Sequence, residues 1–169
     1  MTYHTHRDER RLFKVVGVGG TFDELHMGHK ILLIKAFEYS EKVLIGLSTD
    51  ELSRRLGKTH EVAPYDIRLR NLLRFLEDLG VSDRARIMPL DDPYGPTLLS
   101  SEIEAIIVSK ETEAKAREIN ALREKKGLKP LEIIAIDMVL AEDNIPISTT
   151  RIKRGEIDHD GRLTKRGNI

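Results

Sequence analysis

The chain has 169 residues, the size of one domain with a sizeable core, and its 28 lysines and arginines balance its 28 aspartates and glutamates. That balance argues against a nucleic-acid or anionic-membrane partner and makes a small molecule the default one. Zero cysteines exclude disulfides, thiolate catalysis and cysteine-based zinc sites. No apolar run approaches the ~20 residues of a transmembrane helix, and Met1 to Arg10 lacks the apolar core of a signal peptide, so a cytoplasmic location is expected.

Residues 1–11, nearly without apolar side chains, read as a mobile N-terminal segment. Arg11 to Val18 reads as a strand rich in β-branched residues, and Lys30 to Tyr39 as a helix. Lys42 to Ser48 is an apolar run of strand length, buried on both faces and parallel to the first strand. Thr49 to Ala63 is a polar connection holding Arg54, Arg55, Gly57, Lys58 and His60. Asp66 to Leu79 puts Leu69, Leu72, Leu73, Leu76 and Leu79 on one helical face and stops at Gly80. Arg84 to Pro89 reads as a third strand ended by its proline, Leu90 to Pro96 as a turn-rich loop, and Ala105 to Val108 as a fourth strand. Glu111 to Lys126 is a charged helix closed by Gly127, and Leu131 to Ile136 the fifth strand. The alternation predicts an α/β, Rossmann-like, doubly wound five-stranded parallel sheet with helices on both faces, a single domain over residues 12–157. Residues 158–169, without apolar periodicity, read as a mobile tail.

Two clusters carry chemistry. The first is Thr21-Phe22-Asp23-Glu24-Leu25-His26-Met27-Gly28-His29, directly after the first strand. A strand-to-helix turn there is a phosphate site: the unpaired N–H groups of the following helix face the ligand and its dipole favours negative charge. Gly19 and Gly20 allow close backbone approach, and Gly28 removes a side chain between two imidazoles that share one face. His26 and His29 are not read as metal ligands, because a helical ligand pair is usually four apart with a carboxylate nearby. The second cluster is Pro146 to Glu156, where Ser148 or Thr149 caps a short helix ended by Gly155 and brings hydroxyls, N–H groups and Arg151, Lys153 and Arg154 together.

The first cluster resembles the T/G-x-F-D-x-x-H-x-G-H signature of the nucleotidyltransferase superfamily, which moves a nucleoside monophosphate from a triphosphate to a phosphorylated acceptor. Ile147 to Lys153 resembles the superfamily's I-S-S-T-x-x-R motif, with Thr149 for the second serine and Lys153 for the final arginine. Ser48 to Leu52, Pro64 to Arg68, Val108 to Thr112, Ile119 to Arg123 and Thr150 to Asp158 narrow the resemblance to phosphopantetheine adenylyltransferases of the archaeal and eukaryotic type. That resemblance implies ATP and 4′-phosphopantetheine as substrates, magnesium arriving with ATP, and no nucleic acid or membrane. Oligomeric state stays open.

On the same basis His29 donates to the α-phosphate in the transition state, His26 lies beside it on the triphosphate, and the Thr21 hydroxyl orients the attacking phosphate. Lys58 bridges acceptor and α-phosphates. Gly19, Gly20, Phe22, Gly28, Ser148, Thr149, Thr150 and Arg151 hold the nucleotide, and Tyr65 and Arg68 face the acceptor. Asp23 buttresses the turn. The nucleophile, a phosphate monoester with a second pKa of ~6, is already an anion near neutral pH and needs no general base. A glycerol-phosphate-type cytidylyltransferase, whose I-S-T-T-x-I-K ending the chain also matches, an archaeal FAD synthetase and an ATP-sensing domain are the alternatives.

Overall fold

The computed structural model describes residues 12–57, 61–98 and 100–167. Strands β1 (Phe13–Gly20), β2 (Ser40–Ser48), β3 (Ala85–Leu90), β4 (Ala105–Ser109) and β5 (Glu132–Ile136) form one parallel sheet in the order β3-β2-β1-β4-β5. Helix α1 (Met27–Tyr39) links β1 to β2, α2 (Asp50–Arg55) and α3 (Tyr65–Leu79) lie between β2 and β3, and α4 (Glu113–Lys125) links β4 to β5. A short helix α5 (Thr149–Lys153) follows. The expected α/β class, strand number and parallel pairing are all present.

Alternation along the strands sorts the core into two layers. Val16 and Val18 of β1, Val43, Ile45 and Leu47 of β2 and Ile107 of β4 pack with Leu33, Ala36 and Phe37 of α1 and with Leu72, Phe75, Leu76 and Leu79 of α3. The intervening Val15, Leu44, Ile106 and Val108 meet Ala116 and Ile119 of α4 on the opposite face. On α3 the buried stripe is Arg68, Leu72, Phe75, Leu76 and Leu79, whereas Leu73 stays 49% exposed. Four of the five leucines expected on that face, Leu69, Leu72, Leu76 and Leu79, do pack on the core, and Phe75 joins them where Leu73 does not.

Three boundaries differ in an instructive way. Strand β3 runs through Pro89 instead of stopping there; it is an edge strand and needs a ladder on one side only. The polar connection after β2 opens with α2, capped by Thr49 Oγ1 accepting from the Leu52 N–H at 3.2 Å, a helix too short to show periodicity. The third concerns the C-terminal segment expected to be mobile, which packs through residue 167. Ile157 bridges Leu163, Asp158 Oδ1 accepts from the N–H groups of Asp160 and Arg162, and Ala141, Ile147 and Ile157 form a small core with Met27, Ile152 and Leu163 around it. Gly161 is required there, since at φ +85° a Cβ would sit 2.7 Å from Ile147 and 3.0 Å from the Ala141 backbone. Residues 1–11 lie outside the described residues.

Candidate active site

Strand order reverses between β1 and β4, and those strands are in register only at Val16 with Ala105 and Gly17 with Ile106. Beyond Gly17 the carboxyl ends part, and a cavity of about 350 Å³ opens there, the position at which open α/β sheets bind ligands. Gly19, Gly20, Thr21, Phe22, Asp23, His26, Gly28 and His29 form one wall, and Ile147, Ser148, Thr149 and Thr150 form the wall opposite.

The turn between β1 and α1 holds a backbone that side chains seldom tolerate, with Phe22 at φ 50°, Glu24 at φ 62° and Leu25 at φ 23°. Such geometry persists only where tertiary partners over-determine it. Here Phe22 is buried against the core, and the Asp23 carboxylate takes the Ala63 N–H at 3.3 Å and lies 3.2 Å from Lys153 Nζ. The Asp23 carbonyl accepts from Thr149 Oγ1 at 3.1 Å. Asp23 is thus a buttress joining the turn, the connection after β2 and α5.

His26 is the N-cap of α1 rather than a residue of its first turn. Its Nδ1 accepts from the N–H groups of Gly28 (3.1 Å) and His29 (3.4 Å), while His29 Nδ1 accepts from the His26 N–H at 3.3 Å. This is a capping box built from two histidines. The Met27 N–H goes to the His159 carbonyl at 2.9 Å. The first-turn N–H groups of α1, expected to face an anion, are therefore spent inside the protein.

What the turn presents instead is a pair of rings stacked at 3.7 Å and 16°. With each Nδ1 acting as an acceptor, the neutral tautomer carries its proton on Nε2. Burial, with a smaller contribution from His159 and against the pull of Glu24, pushes the pKa of His26 down to about 4. His26 is accordingly a neutral donor at physiological pH. Gly28 makes the stack possible: a Cβ there would lie 2.9 Å from His26 Cε1 and 3.0 Å from its Nδ1.

On the opposite wall Ser148 caps α5, its Oγ accepting from the Arg151 N–H at 3.3 Å. The cations of this motif are held by acids. Arg151 pairs with Asp143 and, at 3.0 Å, with Glu156, and donates to the carbonyls of Ile145 and Pro146. The guanidinium in turn holds the Asp143 carboxyl below its ordinary range. Lys153 reaches Asp23, Glu24 at 3.7 Å and the Glu61 carbonyl, and Arg154 lies 4.0 Å from Glu156.

Of the residues singled out from sequence, Gly19, Gly20, Thr21, Phe22, His26, Gly28, His29, Ser148, Thr149 and Thr150 meet in one cavity. Arg151 does not line it. Tyr65 and Arg68 do not line it. Arg68, 1% exposed, gives its N–H groups to the carbonyls of Ala63, Thr21 and Ser48 and to Asp50, and so ties the ends of β1 and β2 together. Lys58 lies outside the described residues. The cavity also takes in Ser109, Glu111, Thr112, Asp137, Met138 and Val139, none assigned to the site from sequence. They follow β4 and β5, and the available signal was their place at carboxyl strand ends beside the switch point.

A cytidylyltransferase-like family model matches residues 18–155. A phosphopantetheine adenylyltransferase of Methanothermobacter thermautotrophicus is 49% identical, covering 93% of each chain, and one from Methanosarcina mazei is 51% identical over 89% of this chain and 97% of its own. Among solved structures, a protein of unknown function from Archaeoglobus fulgidus superposes with a TM-score of 0.64 at 32% identity, covering 74% of this chain and 90% of that one.

Proposed function

The chain belongs to the cytidylyltransferase-like family and, within it, to the phosphopantetheine adenylyltransferases, and from that premise we propose that it transfers AMP from ATP to 4′-phosphopantetheine. The products are dephospho-coenzyme A and pyrophosphate, a step of coenzyme A biosynthesis. The observation that supports this best is the stacked His26–His29 pair, each ring fixed through its Nδ1, lining one cavity with Ser148 and Thr150. Such a site offers donors to a polyphosphate without a general base, and the chemistry needs none. A phosphate oxygen of the acceptor attacks the α-phosphorus, the bond to the bridging oxygen of pyrophosphate breaks, and the electron pair leaves with pyrophosphate.

The protein's part is alignment of two anions and stabilisation of charge building on the α-phosphate. His29 donates to that phosphate, His26 to the triphosphate beside it, and Thr21 orients the nucleophile. Gly19, Gly20, Phe22 and Gly28 shape the cradle. Lys58 bridges the two phosphates and Tyr65 borders the acceptor, while Arg68 serves that side through the carbonyl of Thr21. Arg151 supports the loop that presents Ser148 to Thr150. Among the described residues no group of three or more histidines and carboxylates could hold a metal ion. Mg²⁺ would arrive with ATP and screen the charge of its phosphates. No helix among the described residues is long and apolar enough to cross a membrane, and a cytoplasmic location fits water-soluble substrates.

Incubation with ATP or CTP and 4′-phosphopantetheine, glycerol phosphate or FMN, read by pyrophosphate release and product mass, tests the assignment. Dephospho-coenzyme A formed with ATP and not CTP is expected. CDP-glycerol or FAD as the product overturns it.

A further inference from the structure

Residues 159–167 carry no sequence signal of function, yet His159 is tied to the strained turn at two points on either side of His26. The His159 carbonyl takes the Met27 N–H at 2.9 Å, and His159 Nε2 lies 2.8 Å from Glu24 Oε2. Glu24 is the residue of the turn with the largest positive φ, 62°, and its other oxygen lies 3.7 Å from Lys153. Neither Glu24 nor His159 lines the cavity. The His159 side chain is 52% exposed, so a core-packing role does not account for its place.

These contacts act on the atoms that matter for the chemistry. Met27 is the first residue of α1, between the N-cap His26 and the residues whose N–H groups His26 Nδ1 accepts. Moving Glu24 or Met27 moves the backbone of His26 and with it both rings, because the rings are locked to each other through that backbone. A turn held at positive φ by non-glycine residues has a lower-energy shape to relax into once a tie is cut.

Building on the function proposed above, we propose that His159 is a positioning residue for adenylyl transfer. It grips Glu24 and Met27 so that the Nε2 atoms of His26 and His29 stay aimed at the reacting phosphates. Its partner in this is Glu24, with Lys153 steadying the far side of the carboxylate.

The test compares His159→Ala, His159→Gln and Glu24→Gly in the full chain. His159→Ala is expected to lower kcat about 10- to 100-fold, the scale of a misplacement near 1 Å, with KM for ATP within about twofold. His159→Gln, which still reaches Glu24, recovers most of the rate. Glu24→Gly, at ease with the positive φ but without the carboxylate, loses kcat as His159→Ala does, and the double variant is no worse than either single one. An unchanged kcat in His159→Ala, or full activity in Glu24→Gly, overturns the proposal, as does a rate loss that His159→Gln does not recover. The ¹⁵N resonances of the His26 and His29 rings, recorded without substrate, must also shift in His159→Ala and return in His159→Gln. That readout stands even if the wild-type chain forms no dephospho-coenzyme A, so failure of the functional reading remains separate from failure of this one.

Discussion

The two walls of the cavity are built on opposite electrostatic plans. The wall at residues 19–29 presents neutral donors whose orientation is already settled, with His26 and His29 each fixing the other through Nδ1. The wall at residues 148–154 carries the charge, but Arg151 and Lys153 are engaged by Asp143, Glu156, Asp23 and Glu24. One wall is set before ligand arrives, while the other is arranged around its own carboxylates. Placing cations next to incoming phosphates without such carboxylates would leave like charges to repel one another in the empty site. Neutral imidazoles avoid that problem and are the better groups for a contact that strengthens only as charge develops.

The neutral wall is tested most severely by His29→Ala. If the neutral wall does the chemistry, kcat falls roughly 10²–10³-fold, the usual effect of losing one such donor, while ATP binding changes little. Steady-state kinetics with an ATP titration decide it, and an unchanged turnover in a folded variant removes His29 from the role proposed for it.

Acid tests the neutrality itself. The folded pKa of His26, about 4, lies below the ordinary histidine value of 6.5, so the folded state binds fewer protons between those values. The stability this represents is complete above pH 6.5 and is lost as pH falls toward 4, roughly 3 kcal/mol in all. His26→Asn keeps an N-cap acceptor that does not titrate. Urea unfolding at pH 7 and pH 4.5 should show wild type losing roughly 2–3 kcal/mol more than this variant; equal losses would mean that His26 does not meet acid as a buried neutral base.

The charged wall is sharpened by Arg151→Ala. Given the number of internal acceptors on this guanidinium, a stability loss of roughly 1–3 kcal/mol with kcat kept within a few-fold is expected. Thermal melting beside ATP titration checks this. Weaker ATP binding with an unchanged melting temperature would show instead that Arg151 trades its carboxylates for phosphate.

Much of this molecule is readable from its residues in order. Five apolar strand-length runs separated by helical periodicities determine a parallel sheet, and the nonapeptide Thr21 to His29 with Ile147 to Lys153 marks both walls of the site. These signals are local, since each depends on side-chain spacing within one element. The direction in which N–H groups and cations point is not local. Helix geometry alone predicts free N–H groups at the start of α1, yet His26 and the carbonyl of His159 occupy them. Charge alone marks Arg68 and Arg151 as ligand contacts, yet each meets acceptors across a loop or a strand end. The tail at 158–167 has neither periodicity nor length, and packs because Gly161 and Leu163 find Ala141, Ile147 and Ile157 in space. The sequence therefore determined which elements form and which residue types reach the cavity. Only the tertiary structure decided which polar groups remain for a ligand, because a buried donor takes whatever acceptor the fold brings within about 3 Å, however distant in the chain.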